Sequence, residues 1–379
     1  MSVRDRLKDA RRVVVKVGSS TLTHLTGRLD YGRIEQLVRE IADLANGGRE
    51  MILVSSGATA AGMGRMGLLS RPEEMPKKQA LAAIGQGVLM HIYERFFAEY
   101  GQTAAQVLLT RENYLQHSQY MNSRNALLAL LGMGVIPVIN ENDVVAVDEY
   151  KIGDNDTLSA VVAALVDADA LVILSDIDGV YTANPQTHPE AELLTVIPEI
   201  TPEVEALAGG AGSKLGTGGM MTKIEAAKIA VSAGCTMAIA PGARKGVLRE
   251  VLAGSEVGTV FPAKEEHLRV RKAWLAFGQR LKGELWVDDG CERALGHGSS
   301  ILAAGVKSCE GDFEAGSCVR VLNMEGREIA RGLVSCDAHL LSRLCGHRME
   351  EFASLVEKLP EDGKLPAEVI HRDNLVLMI

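Results

Sequence analysis

Residues 13–20 read VVVKVGSS, and this stretch decides the fold. A β-branched run from Val13 to Val17 stops at Gly18-Ser19-Ser20, as a buried strand does on entering a tight loop. Downstream, Ile34, Leu37, Val38, Ile41 and Leu44 recur at helical spacing between Asp30 and Asn46, and Gly47-Gly48 ends the pattern. Met51–Val54 is apolar again and runs into Ser55-Ser56-Gly57-Ala58. The first sixty residues therefore predict strand, loop, helix, strand, loop.

The alternation continues. Helices are expected at about 76–100, 123–131, 157–166 and 222–233, and strands at 105–109, 135–139, 170–174 and 236–240. A small hairpin is expected over Val144–Ile152. Strands alternating with helices predict an α/β fold, a three-layer αβα sandwich whose central sheet is mostly parallel and covered on both faces. Ligands of such sheets bind beyond the carboxyl ends of the strands. The loops after Val17, Val54, Ile139 and Leu174 are therefore expected to share one site.

Near residue 262 the character changes. Pro262–Arg271 is polar and charged, and short β-type runs follow at 283–287, 299–302, 317–322 and 328–334, with helical patterns at 338–344 and 349–355. The expected division is a first domain over 1–262, a linker over 263–279 and a small, mainly β domain over 280–379.

Bulk properties narrow the function. The 379 residues are 47% hydrophobic and 23% charged, with a formal charge of −9. That balance argues against a surface devoted to nucleic acid. From Arg280 to Ile379 twelve Lys and Arg face seventeen Asp and Glu, the wrong sign for a dominant phosphate footprint. No apolar run approaches membrane-span length, and the N-terminal residues lack the apolar core of a signal peptide, so a cytoplasmic enzyme is expected. The six cysteines form no CxxC pair and read as reduced thiols.

Four motifs carry chemistry. Lys16, at the end of an apolar strand and followed by Gly18, aims an ammonium where loop N–H groups also point. Ser55-Ser56-Gly57-Ala58, with Gly62, Gly64 and Gly67 beyond, reads either as an anion nest or as a glycine-assisted turn. Asn140-Glu141-Asn142-Asp143 and Gly153-Asp154-Asn155-Asp156 gather short acids and amides, which suit an α-ammonium and nearby lysines, or else Asx turns and a helix cap. Gly209–Gly219, with six glycines in eleven residues, enters a helix with Lys223 in its first turn, a receptor for phosphate. The HRD at His371 has none of the other kinase blocks around it, and no P-loop spacing is present.

In this order, KVGSS, SSGA, PVINEND, KIGDNDTLSA, LSDIDGVYTANP and GTGGMMTK resemble the blocks of the amino-acid kinase family. Within it they look like the branch that phosphorylates the side-chain carboxylate of free glutamate. SSIL, GDFEAG, VRVLNMEGREIARG and VIHRDN look like that branch's appended PUA domain. Ser19 and Ser175 stand where threonine is frequent, and Met221 where a small residue often sits.

The resemblance implies catalytic roles for Lys16, Lys223 and Asp156, and glutamate contacts at Ser56, Asp143 and Asn155. It implies an ATP site of Lys16, Ser175, Asp176, Thr217, Gly218, Gly219, Met220, Met221, Thr222 and Lys223. It further implies Mg2+ with the ATP, inhibition by proline, a glutamyl phosphate reductase downstream, and a homo-oligomer, dimer or tetramer. A sister kinase with another carboxylate substrate and an RNA-binding protein are the alternatives.

Overall fold

The structure is a computed structural model that describes residues 3–24, 26–110, 117–145, 154–185, 187–207, 219–264, 281–348, 351–352 and 368–378. Two compact units meet in sequence between Val270 and Arg271. The boundary lies within the stretch expected as a linker, most of which is outside the described residues.

Unit 1 runs α1 (Val3–Lys8), β1 (Arg12–Val17), α2 (Ser19–Leu22), α3 (Tyr31–Asn46), β2 (Glu50–Ser55), α4 (Ala58–Met66), α5 (Met75–Glu99) and β3 (Thr103–Leu109). It continues α6 (His117–Gly132), β4 (Val135–Glu141), α7 (Asn155–Leu165), β5 (Ala170–Ser175), α8 (Pro202–Leu207), α9 (Met220–Ser232), β6 (Thr236–Pro241), α10 (Val247–Leu252) and β7 (Thr259–Phe261). The seven strands form one sheet in the order β3-β4-β2-β1-β5-β6-β7, parallel except for β7.

Strand periodicity places the chemistry. Val13, Val15 and Val17 of β1 join one core cluster with Ile34, Val38 and Ile41 of α3. The alternate positions, Val14 and Lys16, face the other side, where Lys16 meets Asp156 of α7, which also holds Lys223 of α9. Each fully buried aliphatic side chain here contributes about 1.5–3 kcal/mol. Asp30 caps α3 by accepting from the Arg33 N–H at 3.1 Å.

Register aligns the strand ends. Val17 pairs with Ser55 on one side and Leu174 on the other; Val54 pairs with Ile139 and Leu174 with Ala240. The loops after β1, β2, β4, β5 and β6 therefore start side by side.

Two expectations need correction, and a third falls mostly outside the described residues. Gly62 and Gly64 are in no loop: Ala58–Met66 is a helix, with Gly57 as its N-cap at φ 100° and Gly67 as its C-cap at φ 68°. A Cβ on Gly85 would lie 1.7 Å from the Ala58 carbonyl, and one on Gly62 would lie 2.0 Å from the Leu81 carbonyl. Those glycines serve backbone contact between α4 and α5, which loop-like sequence signals conceal. Of the expected hairpin over 144–152, residues 146–152 are outside the described residues, and Asn142–Val145 is a turn closed by the Val145 N–H on the Asn142 carbonyl. The expected strand at 299–302 gives only an Ile301–Ile370 bridge.

Unit 2 holds β8 (Leu281–Val287), α11 (Asp289–Gly296), β9 (Val306–Gly311), β10 (Cys318–Leu322), β11 (Glu328–Leu333), α12 (Ala338–Leu344) and β12 (Leu375–Leu377). Its sheet order is β12-β11-β10-β8-β9, with only β8 and β10 parallel. Strand β9 escapes the sequence pattern because Lys307, Ser308, Glu310 and Gly311 are exposed and give no apolar alternation. Leu285, Val287, Phe313, Val321, Ile329 and Leu341 build its core. The expected helical pattern at 349–355 falls mostly outside the described residues.

None of the six cysteines forms a disulfide among the described residues, and Cys235, Cys291, Cys318 and Cys336 are buried. Burial, with the nearby Asp288 carboxylate, pushes the Cys291 thiol up to about 11. No described helix is long and apolar enough to cross a membrane.

Candidate active site

Helix α7 starts beside the strand ends. Its N-cap is Asp154, whose Oδ1 accepts from the N–H groups of Asp156 at 2.7 Å and Thr157 at 2.9 Å. This cap orients the first turn, and Asp156 projects from it fully buried. Burial raises the Asp154 carboxyl above its usual range, and the Asp156 charge adds to the rise.

Asp156 holds two lysines. Lys16 Nζ lies 2.5 Å from its Oδ1 and Lys223 Nζ 3.1 Å from its Oδ2. Thr222 Oγ1 lies 2.9 Å from Oδ2 and 2.8 Å from the Gly219 carbonyl. Lys16 and Lys223 are 8% and 5% exposed, so the three charged groups share a nearly dry environment. Burial works to raise the Asp156 carboxyl, but the Lys16 and Lys223 charges and their hydrogen bonds overcome it, and the net direction is down. Two ammonium groups held on one carboxylate are suited to receive an anion.

The lysines come from different elements. Lys16 is the last residue but one of β1, two before Gly18; Lys223 lies in the first turn of α9, whose N-cap is Gly219. The N-terminus of a helix attracts negative charge, so α9 adds its dipole to that of the ammonium groups.

A second network adjoins the first through Asn155, the residue before Asp156. Asn155 Nδ2 donates to Ser56 Oγ at 2.7 Å and to Asn140 Oδ1 at 3.0 Å. Asn140 Nδ2 donates to Gln86 Oε1 at 3.0 Å. Ser55 Oγ lies 2.7 Å from the Tyr93 hydroxyl and 3.0 Å from the Ser56 carbonyl. Burial pushes the Tyr93 phenol far up, so it stays a neutral partner. Asp143 stands in the turn just after β4, half-buried.

The structure thus brings Lys16, Asp156, Thr222 and Lys223 together, and joins Ser56 to Asn155 beside them. Ser175 ends β5, next to β1, and Asp176 follows it, with Ser175 Oγ 3.0 Å from Asp176 Oδ1. Met220 and Met221 sit in the first turn of α9. Thr217 and Gly218, with most of the glycine-rich stretch, lie outside the described residues. Sequence reasoning missed Gln86 and Tyr93. Both lie within a helix that carries no motif, and only their spacing of seven residues hinted at a shared face. Among the described residues no group of three or more His, Cys, Asp or Glu gathers to hold a metal. Asp156 has both oxygens committed to the two lysines.

A parallel-sheet unit with two lysines poised on one buried carboxylate at its strand ends is the frame of a phosphoryl-transfer enzyme. The chain belongs to the amino acid kinase family: that family's model matches residues 11–241, and a PUA domain model matches residues 283–356. Curated proteins similar to it nearly end to end include glutamate 5-kinases. That of Moorella thermoacetica is 51% identical over 373 residues, covering 98% of this chain and 97% of its own. That of Carboxydothermus hydrogenoformans is 52% identical over 378 residues, covering 99% and 100%. Among solved structures, the UMP kinase from Bacillus anthracis covers 67% of this chain and 97% of its own at 14% identity and a TM-score of 0.48.

Proposed function

We propose that this chain transfers the γ-phosphoryl group of ATP to the side-chain carboxylate of L-glutamate, giving L-glutamyl 5-phosphate and ADP. The observation that carries the reading is the pair of lysines, Lys16 and Lys223, held on Asp156 and buried beside a small polar network of amides and a hydroxyl. Full-length similarity to glutamate 5-kinases supports the choice of acceptor.

A glutamate side chain has a pKa of about 4.3, so the acceptor arrives ionised and needs no general base. The reaction forms a bond from a carboxylate oxygen to the γ-phosphorus and breaks the bond from that phosphorus to the β–γ bridging oxygen. No proton is gained or lost. The obstacle is repulsion between two anions, and the remedy is position and neutralising charge. Lys16 and Lys223 supply the charge, and Asp156 holds both ammonium groups in place. Ser56, Asn155 and Asp143 hold glutamate. Ser175, Asp176 and the segment 217–223 hold ATP. Magnesium enters with the ATP phosphates.

Proline, which shares the α-carboxylate and ammonium of glutamate, is expected to compete near Asn140–Ile152. A glutamyl phosphate reductase is the expected consumer of the product, since an acyl phosphate is short-lived in water. The enzyme is expected in the cytoplasm, where ATP and free glutamate meet, as a homo-oligomer.

The test is ADP release from Mg-ATP with glutamate, aspartate, acetylglutamate or carbamate, with hydroxylamine present to trap acyl phosphate. Hydroxamate formed with glutamate, and suppressed by proline, is the expected result. Activity with another acceptor alone refutes the choice of substrate.

A further inference from the structure

Helix α5 lays three polar side chains along one stripe, Gln79, Gln86 and Tyr93. A spacing of seven residues is close to two helical turns, so the three share a face. Each reaches a strand-end segment on the acceptor side. Gln79 Nε2 donates to the Val144 carbonyl at 3.3 Å, Gln86 Oε1 accepts from Asn140 Nδ2 at 3.0 Å, and the Tyr93 hydroxyl lies 2.7 Å from Ser55 Oγ.

The middle contact sets a polarity. A side-chain amide has one donor end and one acceptor end. Gln86 takes the donor end of Asn140, while Asn140 Oδ1 accepts from the Glu141 N–H at 2.9 Å and from Asn155 Nδ2 at 3.0 Å. Asn155 Nδ2 also donates to Ser56 Oγ at 2.7 Å. Among the described residues, an acceptor, Asn155 Oδ1, and a donor, the Ser56 hydroxyl hydrogen, are then left for a ligand. An α-amino acid needs that combination, since its ammonium donates and its carboxylate accepts.

We propose that Gln86 is a positioning residue that fixes the amide orientation of Asn140, and through it the hydrogen-bond polarity that Asn155 and Ser56 present to the amino-acid acceptor. The proposal rests on the reading of this site as an amino-acid pocket. Without Gln86 Oε1, the donor end of Asn140 loses its partner among the described residues, and the Glu141 N–H alone opposes the flip that turns that end toward the donor of Asn155.

The test is steady-state kinetics of the full-length chain with a melting curve for each variant. Gln86→Met keeps the length of the side chain and removes the acceptor. Gln86→Glu keeps an acceptor oxygen. The glutamate KM of Gln86→Met is expected to rise about five- to tenfold, the scale of one lost hydrogen bond, with kcat and the ATP KM unchanged. Gln86→Glu is expected to restore the glutamate KM to nearly that of the native chain. Should the Met variant melt out, Gln86→Leu replaces it under the same criteria. An unchanged glutamate KM overturns the proposal, as does an ATP KM that rises in parallel or a Glu variant no better than Met. If the native chain fails to turn over glutamate, the underlying reading falls, whereas native turnover with unaffected variants sinks this proposal alone.

Discussion

Removing the Asp156 carboxylate is the sharpest perturbation the structure allows. Asp156→Ala leaves Lys16 and Lys223, 8% and 5% exposed, facing each other without the anion that neutralises them. It also strands Thr222 Oγ1, 2.9 Å from the missing oxygen. Breaking a buried ion pair from one side costs about 3–5 kcal/mol, because the remaining charge stays desolvated. A kilocalorie per mole shifts the melting temperature of a unit this size by about 2–4 °C, so a drop of roughly 6–20 °C is expected. The cost belongs to stranded charge, which gives the argument a second arm. Converting both lysines to Met in the Asp156→Ala background removes the uncompensated charges, and much of the lost stability returns, since apolar replacement of a whole buried cluster is often neutral. Urea melts of the native chain, the single and the triple variant measure both arms. A single variant within about 1 kcal/mol of native stability, or a triple variant less stable than the single one, would refute the reasoning.

Three further outcomes follow from the same geometry. Lys16→Ala and Lys223→Ala are each expected to lower kcat far more than they weaken glutamate binding, because their charge is needed most during transfer; initial rates against glutamate concentration check this, and a raised KM with near-native kcat contradicts it. Gly85→Ala places a methyl group 1.7 Å from the Ala58 carbonyl, so α4 and α5 must separate; a loss of roughly 2 kcal/mol or more is expected in a urea melt. The Asp156 carboxyl is lowered on folding, so its stabilisation is fully present above the unfolded value of about 3.9 and lost as pH falls through the lower folded value. The stability gap between native chain and Asp156→Ala is therefore expected to be constant from about pH 5 to 8 and to close only in stronger acid.

The sequence exposes some of these features and hides others for physical reasons. Buried parallel strands such as Val13–Val17 declare themselves as short β-branched runs, and α3 declares itself through Ile34, Leu37, Val38 and Ile41. Lys16 is conspicuous as a charge inside an apolar strand. Asp154, rather than Asn155, caps α7, and Asp156 rather than Asp154 meets the lysines. Adjacent residues of a helix's first turn point in different directions, and the motif alone does not say which. Helix α4 was hidden by Gly57, Gly62, Gly64 and Gly67, because glycines that permit close helix packing look like glycines that permit turns. Strand β9 was hidden because a sheet-edge strand with exposed polar positions has no apolar alternation. Gln86 stayed invisible because its role depends on a residue 54 positions away, Asn140, and such a distance is bridged only by the fold.

The central claim is that the side-chain carboxylate of glutamate attacks the γ-phosphorus of ATP. Glutamate carrying 18O in that carboxylate tests it, with hydroxylamine present and the released inorganic phosphate weighed by mass spectrometry. Hydroxylamine attacks the acyl carbon, so the account predicts phosphate bearing one 18O for each hydroxamate formed. Phosphate free of the label would contradict it, because the oxygen joined to phosphorus would then have come from elsewhere.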